Sequence, residues 1–231
     1  MHKQLTLIFA TVALSTAAFA QDGPYQIGYA ANLNQGDSVL NLSNDGFQGG
    51  FINATPFKTE GNICVNVYTF DPQEEEIACC ACLVTPNGLN SLSAVSDLTS
   101  NPLTPAIPTS IVVKLISSEP GLAAGAFTVC NPSTISLAGA ANPYYPTVAA
   151  AAGDPDAGFL VPFGMLAWGS TLEPAGTPGT FAPVSVKYLN GALSPSEFTS
   201  LTSTCSFIQG DGTGFGICKS CRTGALSGSK K

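Results

Sequence analysis

Eight cysteines are the residues of this 231-residue chain whose types and spacing could do chemistry. Four of them, Cys64, Cys79, Cys80 and Cys82, lie in the stretch 61–88, GNICVNVYTFDPQEEEIACCACLVTPNG. Cys130 and Cys205 stand apart, and Cys218 and Cys221 occupy a Gly-rich stretch near the C-terminus, FIQGDGTGFGICKSCRTG (207–224). An even number of cysteines in an exported chain is most economically read as four disulfides. Each would stabilise by about 2–4 kcal/mol, mainly by restricting the unfolded chain. Strand alternation puts Cys80 and Cys82 on one face of their strand and Cys79 on the other. Neighbours such as Cys79 and Cys80 rarely bridge each other, so their partners come from Cys64, Cys130, Cys205, Cys218 and Cys221. The C-terminal loop must then fold back onto the 61–88 hairpin. Which cysteine joins which stays open, since eight allow about 105 connectivities.

Two other chemistries use the same thiols. Cys80-x-Cys82 with Cys218-x-x-Cys221 supplies four thiolates, a set that suits zinc or an iron–sulfur cluster. Cys218-Lys219-Ser220-Cys221 could instead be a redox pair, with Lys219 and Arg222 lowering a thiol pKa. That motif lies in a Gly-rich loop and does not open a helix in a βαβ unit. The disulfide reading leads, with no cofactor; the metal site and the thiol redox module are its alternatives.

The other candidates are weaker. Asp71, Glu74, Glu75 and Glu76 could offer oxygen ligands to calcium, but their spacing matches no calcium loop and a solvated hairpin tip accounts for them better. Asp154 and Asp156 read the same way. A polysaccharide hydrolase needs two carboxylates across a cleft, and nothing local points to such a pair. Residues 210–216, GDGTGFG, lack the Lys-Ser/Thr ending of a phosphate loop. Asn41-Leu42-Ser43 and Asn53-Ala54-Thr55 fit the glycosylation pattern. Trp168, the one tryptophan, reads as core. The one histidine is His2, inside a segment expected to be removed. Loss of that segment excludes Ser-His-Asp and Cys-His nucleophiles and His-ligated metals, so the expectation is not an enzyme.

The elements that must position these residues follow from pattern and punctuation. Residues 1–20 read as a signal peptide: a charged start at His2 and Lys3, an apolar run, and the cleavage pattern Ala18-Phe19-Ala20. That run is shorter than the about 20 apolar residues a membrane span needs, and no apolar segment precedes the Lys230-Lys231 end, so no membrane span is expected. With Lys3 gone, the 15 acidic residues face 7 basic ones, a net charge near −8. No basic stripe remains for nucleic acid. The location expected is secreted, extracellular or at the cell surface, with the periplasm as the alternative. Residues 21–36 read as an extended N-terminal arm or loose first strand. Residues 37–231 read as a single domain with a Cys-rich tail. Strands are expected at 38–43, 50–53, 62–70, 76–84, 89–95, 110–117, 126–130, 157–168 and 182–188, separated by Gly- and Pro-rich turns. That pattern argues for a mostly β, antiparallel β-sandwich of the Ig-like or jelly-roll-like kind. A single helix at 194–209 begins with the capping box Ser194-Pro195-Ser196-Glu197. Phe198, Leu201, Cys205 and Ile208 mark its buried face.

The segments ICVNVYTFDPQEEEIACCACLVTPNGL, IPTSIVVKL, MLAWGSTL and LSPSEFTSLTSTCSFIQGDGTGFGICKSCRTGAL resemble a family of uncharacterised exported bacterial Cys-rich proteins. Its members occur as paralogues sharing the CCxC strand and the GFGIC-x-x-C ending. The resemblance runs from about Gly36 onward. It implies export, a shared cysteine framework and variable loops, and it transfers no functional residue. The function expected is therefore that of a non-catalytic structural or binding protein. Its partners would be itself, other surface proteins or polysaccharide, and an arm beside a sandwich with edge strands permits fibres built by strand addition.

Overall fold

The computed structural model describes residues 23–46, 61–99, 106–118, 120–123, 126–135, 164–212 and 216–221. The signal peptide, the 50–53 strand, Asn53, Asp154 and Asp156 lie outside them. The described residues form two antiparallel sheets, a small hairpin and one C-terminal helix. The strands are β1 (Tyr25–Ala31), β2 (Val39–Asn44), β3 (Ile63–Phe70), β4 (Glu76–Val84), β5 (Leu89–Ser93), β6 (Ser110–Ser118), β7 (Gly121–Ala123), β8 (Ala126–Val129), β9 (Met165–Pro174), β10 (Phe181–Lys187) and β11 (Leu189–Asn190). The helix α1 spans Pro195–Gly210. The first sheet runs β11-β1-β6-β3-β4 and the second β10-β9-β2-β5.

Period-two alternation builds the interior between the sheets. Ile63, Val65 and Val67 of β3 and Ile111, Val113 and Leu115 of β6 meet Leu40 and Leu42 of β2, Leu92 of β5 and Met165 of β9 in one buried cluster. Each such side chain contributes about 1.5–3 kcal/mol by leaving water. β3 is buried along both faces, with only Phe70 partly open, because its outer face is covered as well. There Tyr68, Cys79 and Ile116 pack with Tyr25, Leu201 and Cys205 in a second cluster beneath α1. The Tyr68 hydroxyl donates to the Pro132 carbonyl at 2.7 Å, tying down the segment that follows β8.

Of the two readings of residues 21–36, an extended arm or a loose first strand, the described part contains a strand. Tyr25–Ala31 pairs with β6 over seven residues, from Tyr25↔Ile116 to Ala31↔Ser110, and touches β11 at Gln26 and Ile27. The reason is apolar: Tyr25, Ala30 and Leu33 are all buried, more anchorage than the polar Gln and Asn around them suggests. Gly28 lets this strand lie under the ring of Tyr188, since a Cβ there would fall 2.5 Å from two ring carbons. β9 begins at Met165 and runs on to Pro174; the 157–163 part of the expected strand lies outside the described residues. β7, β11 and the one-turn π-helix Ala94–Leu98 are too short to leave a periodic signal.

α1 starts as its sequence dictates. The Ser194 side chain accepts the Glu197 amide at 3.1 Å and Pro195 fills the first turn. Phe198, Leu201, Cys205 and Ile208 face the sheet. Gly210 is still helical and Asp211 is the cap. Among the described residues no helix is long and apolar enough to cross a membrane.

Candidate functional site

All eight cysteines are paired: Cys64–Cys130, Cys79–Cys205, Cys80–Cys218 and Cys82–Cys221. Three of the four bonds tie β4 to the segment from Cys205 to Cys221, across sequence separations of 126 to 139. The strand parity is what sorts them. Cys79 points outward to meet Cys205 of α1, while Cys80 and Cys82 belong to the inner cluster and take the two cysteines of the tail. Such bonding is typical of proteins that mature in an oxidising compartment.

The tail is also held without sulfur. The Cys79 amide donates to the Gly216 carbonyl at 2.8 Å, so the tail occupies the free edge of β4. Between Cys218 and Cys221, the amides of Lys219 and Ser220 both donate to Asp97 Oδ1 at 3.1 Å. The other oxygen of Asp97 accepts the Ser93 amide at 2.9 Å. Asp97 is only 1 % exposed, and three backbone donors replace the water it has lost. Asp97 was not among the residues singled out by motif, because a buried carboxylate in a short turn carries no spacing signal. The Sγ atoms of Cys80, Cys218 and Cys221 lie within 4.8 Å of one another, with Cys82 bonded to the last.

The acidic hairpin divides in two. Asp71 Oδ1 accepts the amides of Gln73 and Glu75 at 2.9 and 3.0 Å, closing a turn in which Glu74 adopts φ 67°. Those bonds make Asp71 a turn former, while Glu74 and Glu75 face solvent. Glu76 departs from the expectation of a solvated tip. A bulge between Thr69 and Phe70 pairs Phe70 with Glu76 and Thr69 with Ala78, leaving Ile77 as the extra residue. In an unbroken strand Glu76 and Cys79 would face opposite sides; the bulge puts both on the outer one. A carboxylate oxygen of Glu76 then lies within 4.8 Å of both sulfurs of the Cys79–Cys205 bond. Glu76 Oε1 is buried and has no hydrogen-bond partner among the described residues. Burial pushes its pKa up to about 8, with Lys114 pulling it down and Glu197 pushing it up.

Lys114 links this corner to the helix. Its ammonium donates to Glu197 Oε1 and sits over the Phe70 ring, 4.5 Å from the centroid. Burial, reinforced by Glu197, pushes the Tyr25 hydroxyl up to about 12. Glu76 and Glu197 are thus two carboxylates sharing one side of a sheet, with a lysine bonded to one of them.

A third feature is the outer face of the second sheet. Trp168, expected in the core, points outward and is 38 % exposed. In β9 the inward places belong to Met165, Ala167, Gly169 and Thr171, and parity sends Trp168 the other way. Gly169 is required there, because a Cβ would lie 2.4 Å from the Val39 carbonyl oxygen. Cross-strand register sets Lys187, Trp168, Asn41 and Ser91 in one row over four strands. The Ser91 hydroxyl donates to Asn41 Oδ1 at 2.7 Å. Val39 and Leu89, 40 % and 58 % exposed, flank the row. Of the two glycosylation patterns, Asn41 lies in this row. Comparison with protein-family models, with curated proteins and with solved structures returned no match.

Proposed function

We infer that this is an exported, non-catalytic structural or binding protein of the cell exterior, and that its working surface is the outer face of the β10-β9-β2-β5 sheet. The observation that carries this is the exposed row Lys187–Trp168–Asn41–Ser91 on a framework braced by four disulfides. A sheet face that sets an indole beside the amide of Asn41 and the hydroxyl of Ser91 suits the alternating apolar and hydroxyl surfaces of a polysaccharide. The chemistry at the other face supports an anchor and not a hydrolase: Glu197 is committed to Lys114, and Glu76 sits against a disulfide beneath α1. The resemblance to exported Cys-rich bacterial proteins agrees with the leader and the disulfides. Fibre formation belongs to the same reading in a changed form. Because β1 pairs with β6 over seven residues, strand addition by residues 21–36 requires β1 of one copy to replace β1 of another.

Trp168→Ala, beside the unaltered protein, tests it through retention on insoluble cell-wall polysaccharide and through sedimentation of the free protein. Weakened retention with an unchanged melting temperature supports the polysaccharide partner. Loss of a concentration-dependent oligomer instead makes the partner a second copy. Unchanged retention and unchanged sedimentation together sink the assignment of this face.

A further inference from the structure

Cys80 and Cys82 stand two residues apart on β4 with their side chains on the inner face, and Cys218 and Cys221 are laid against them by the tail. The paired Cα atoms are 5.4 and 4.8 Å apart, and three of the four sulfurs fall within 4.8 Å of one another. A tetrahedral zinc with bonds of about 2.3 Å needs four sulfurs separated by roughly 3.8 Å. Breaking each bond frees the paired sulfurs to open towards that spacing by rotation at the side chain. We propose that these four cysteines, in the thiol state in which the chain is synthesised, form a four-thiolate site for Zn²⁺ that the two disulfides later replace.

The tail is held by hydrogen bonds as well as by sulfur, and this carries the proposal. The Cys79–Gly216 hydrogen bond fixes the approach to Cys218. The two amides held by Asp97 fix the turn between Cys218 and Cys221. Neither tie involves sulfur, so both are open to the reduced chain and would present the thiols together before any bond joins them. Cys64 and Cys130 differ: they pair on the far side of β3, away from this cluster. Binding is an acid–base step. Four Cys–SH groups give four protons to solvent, and one Zn²⁺ takes four thiolates, leaving a complex of net charge −2. Its conversion needs a disulfide-class oxidant acting twice; each time two thiolates lose two electrons to the oxidant's sulfur–sulfur bond, which becomes two thiolates. The metal is then released. Held on zinc with Cys218 and Cys221, Cys80 and Cys82 cannot bond to Cys79 or Cys64 before the oxidant arrives.

The test uses the full chain kept reduced by a phosphine, with Co²⁺ and then Zn²⁺ as the probes. One Co²⁺ per chain is expected, with the strong visible bands and near-ultraviolet charge transfer of tetrahedral cobalt thiolate, bleached by one Zn²⁺. Cys82→Ser and Cys218→Ser should each weaken cobalt binding by more than about 100-fold, the upper range even for loss of an outer-shell partner. Cys64→Ser should leave it unchanged. As a second readout, zinc should shield Cys80, Cys82, Cys218 and Cys221 from alkylation while Cys64 and Cys130 react. A reduced chain that gives no stoichiometric tetrahedral spectrum, folded or not, overturns the proposal. So does a spectrum that survives Cys82→Ser and Cys218→Ser, or one that needs Cys64.

Discussion

Replacing Glu76 by Gln should make the protein more stable in mildly alkaline solution and leave it nearly unchanged in acid. Glu76 has a folded pKa of about 8 against an ordinary 4.5. The folded state therefore holds a proton that the unfolded state gives up between those values. A carboxyl raised in this way contributes its full stability below pH 4.5 and loses it as pH rises towards 8. At about 1.4 kcal/mol per unit the decline has a ceiling of roughly 5 kcal/mol. Glu76 is not wholly enclosed and Lys114 stands near, so about 2–3 kcal/mol is the expected fall after solvent screening. Gln keeps the shape and carries no proton, so its stability should not follow that slope. Guanidinium denaturation of both proteins, disulfides intact, at about pH 5 and about pH 8.5 reads the difference. The two curves should nearly coincide at the lower pH and separate in favour of the variant at the higher one. An equal difference at both values, or a wild type more stable at the higher pH, refutes the reasoning that the bulge holds this carboxyl protonated against the Cys79–Cys205 bond.

Other substitutions probe the remaining elements. Leu201→Ala empties the fully buried contact between α1 and the first sheet and should cost about 2–4 kcal/mol by thermal unfolding. Asp97→Ala leaves the Lys219, Ser220 and Ser93 amides without their acceptor, at a cost of about 2–3 kcal/mol. After oxidative refolding, a peptide map of this variant should show scrambled bonds at Cys218 and Cys221 while Cys64–Cys130 stays intact. Gly28→Ala drives a methyl into the Tyr188 ring and should lower stability by about 1–3 kcal/mol. The near-ultraviolet dichroism of the tyrosines should change with it.

The sandwich is readable because apolar places recur at every second residue in Ile63–Val67 and Ile111–Leu115 and Pro and Gly punctuate the turns. α1 was readable for a different reason: Ser194, Pro195 and Glu197 mark its start, and its apolar face repeats at three and four. The grouping of Cys80 and Cys82 with the tail, and of Cys79 away from them, followed from strand parity. Two failures have separate causes. Glu76 reads as part of a solvated tip because it ends a run of acidic residues, and nothing in the sequence announces the bulge at Ile77 that turns it towards the Cys79–Cys205 bond. Trp168 was assigned by its hydrophobicity, although its place in β9 depends on which residues face Val39, and that is a tertiary matter. β1 is legible only as one of two readings, an extended arm or a loose first strand, because Gln26, Gly28 and Asn32 look like loop; its buried pairing with β6 decides for the strand. Asp97 could not be found at all, because its three donors come from residues 93, 219 and 220, which are neighbours only in the fold.

The placement of the bonds on β4 sets an order of events during biosynthesis. Translation delivers Cys79, Cys80 and Cys82 together, and their partners follow 126, 138 and 139 residues later. At the ribosomal rate of about 5–20 residues per second, the strand waits on the order of ten seconds with three unsatisfied thiols side by side. A nascent chain released before Cys205 would contain every strand of both sheets and yet retain three odd cysteines. Its completeness is thus reported by thiol chemistry, and any machinery that detains free thiols would detain the fragment.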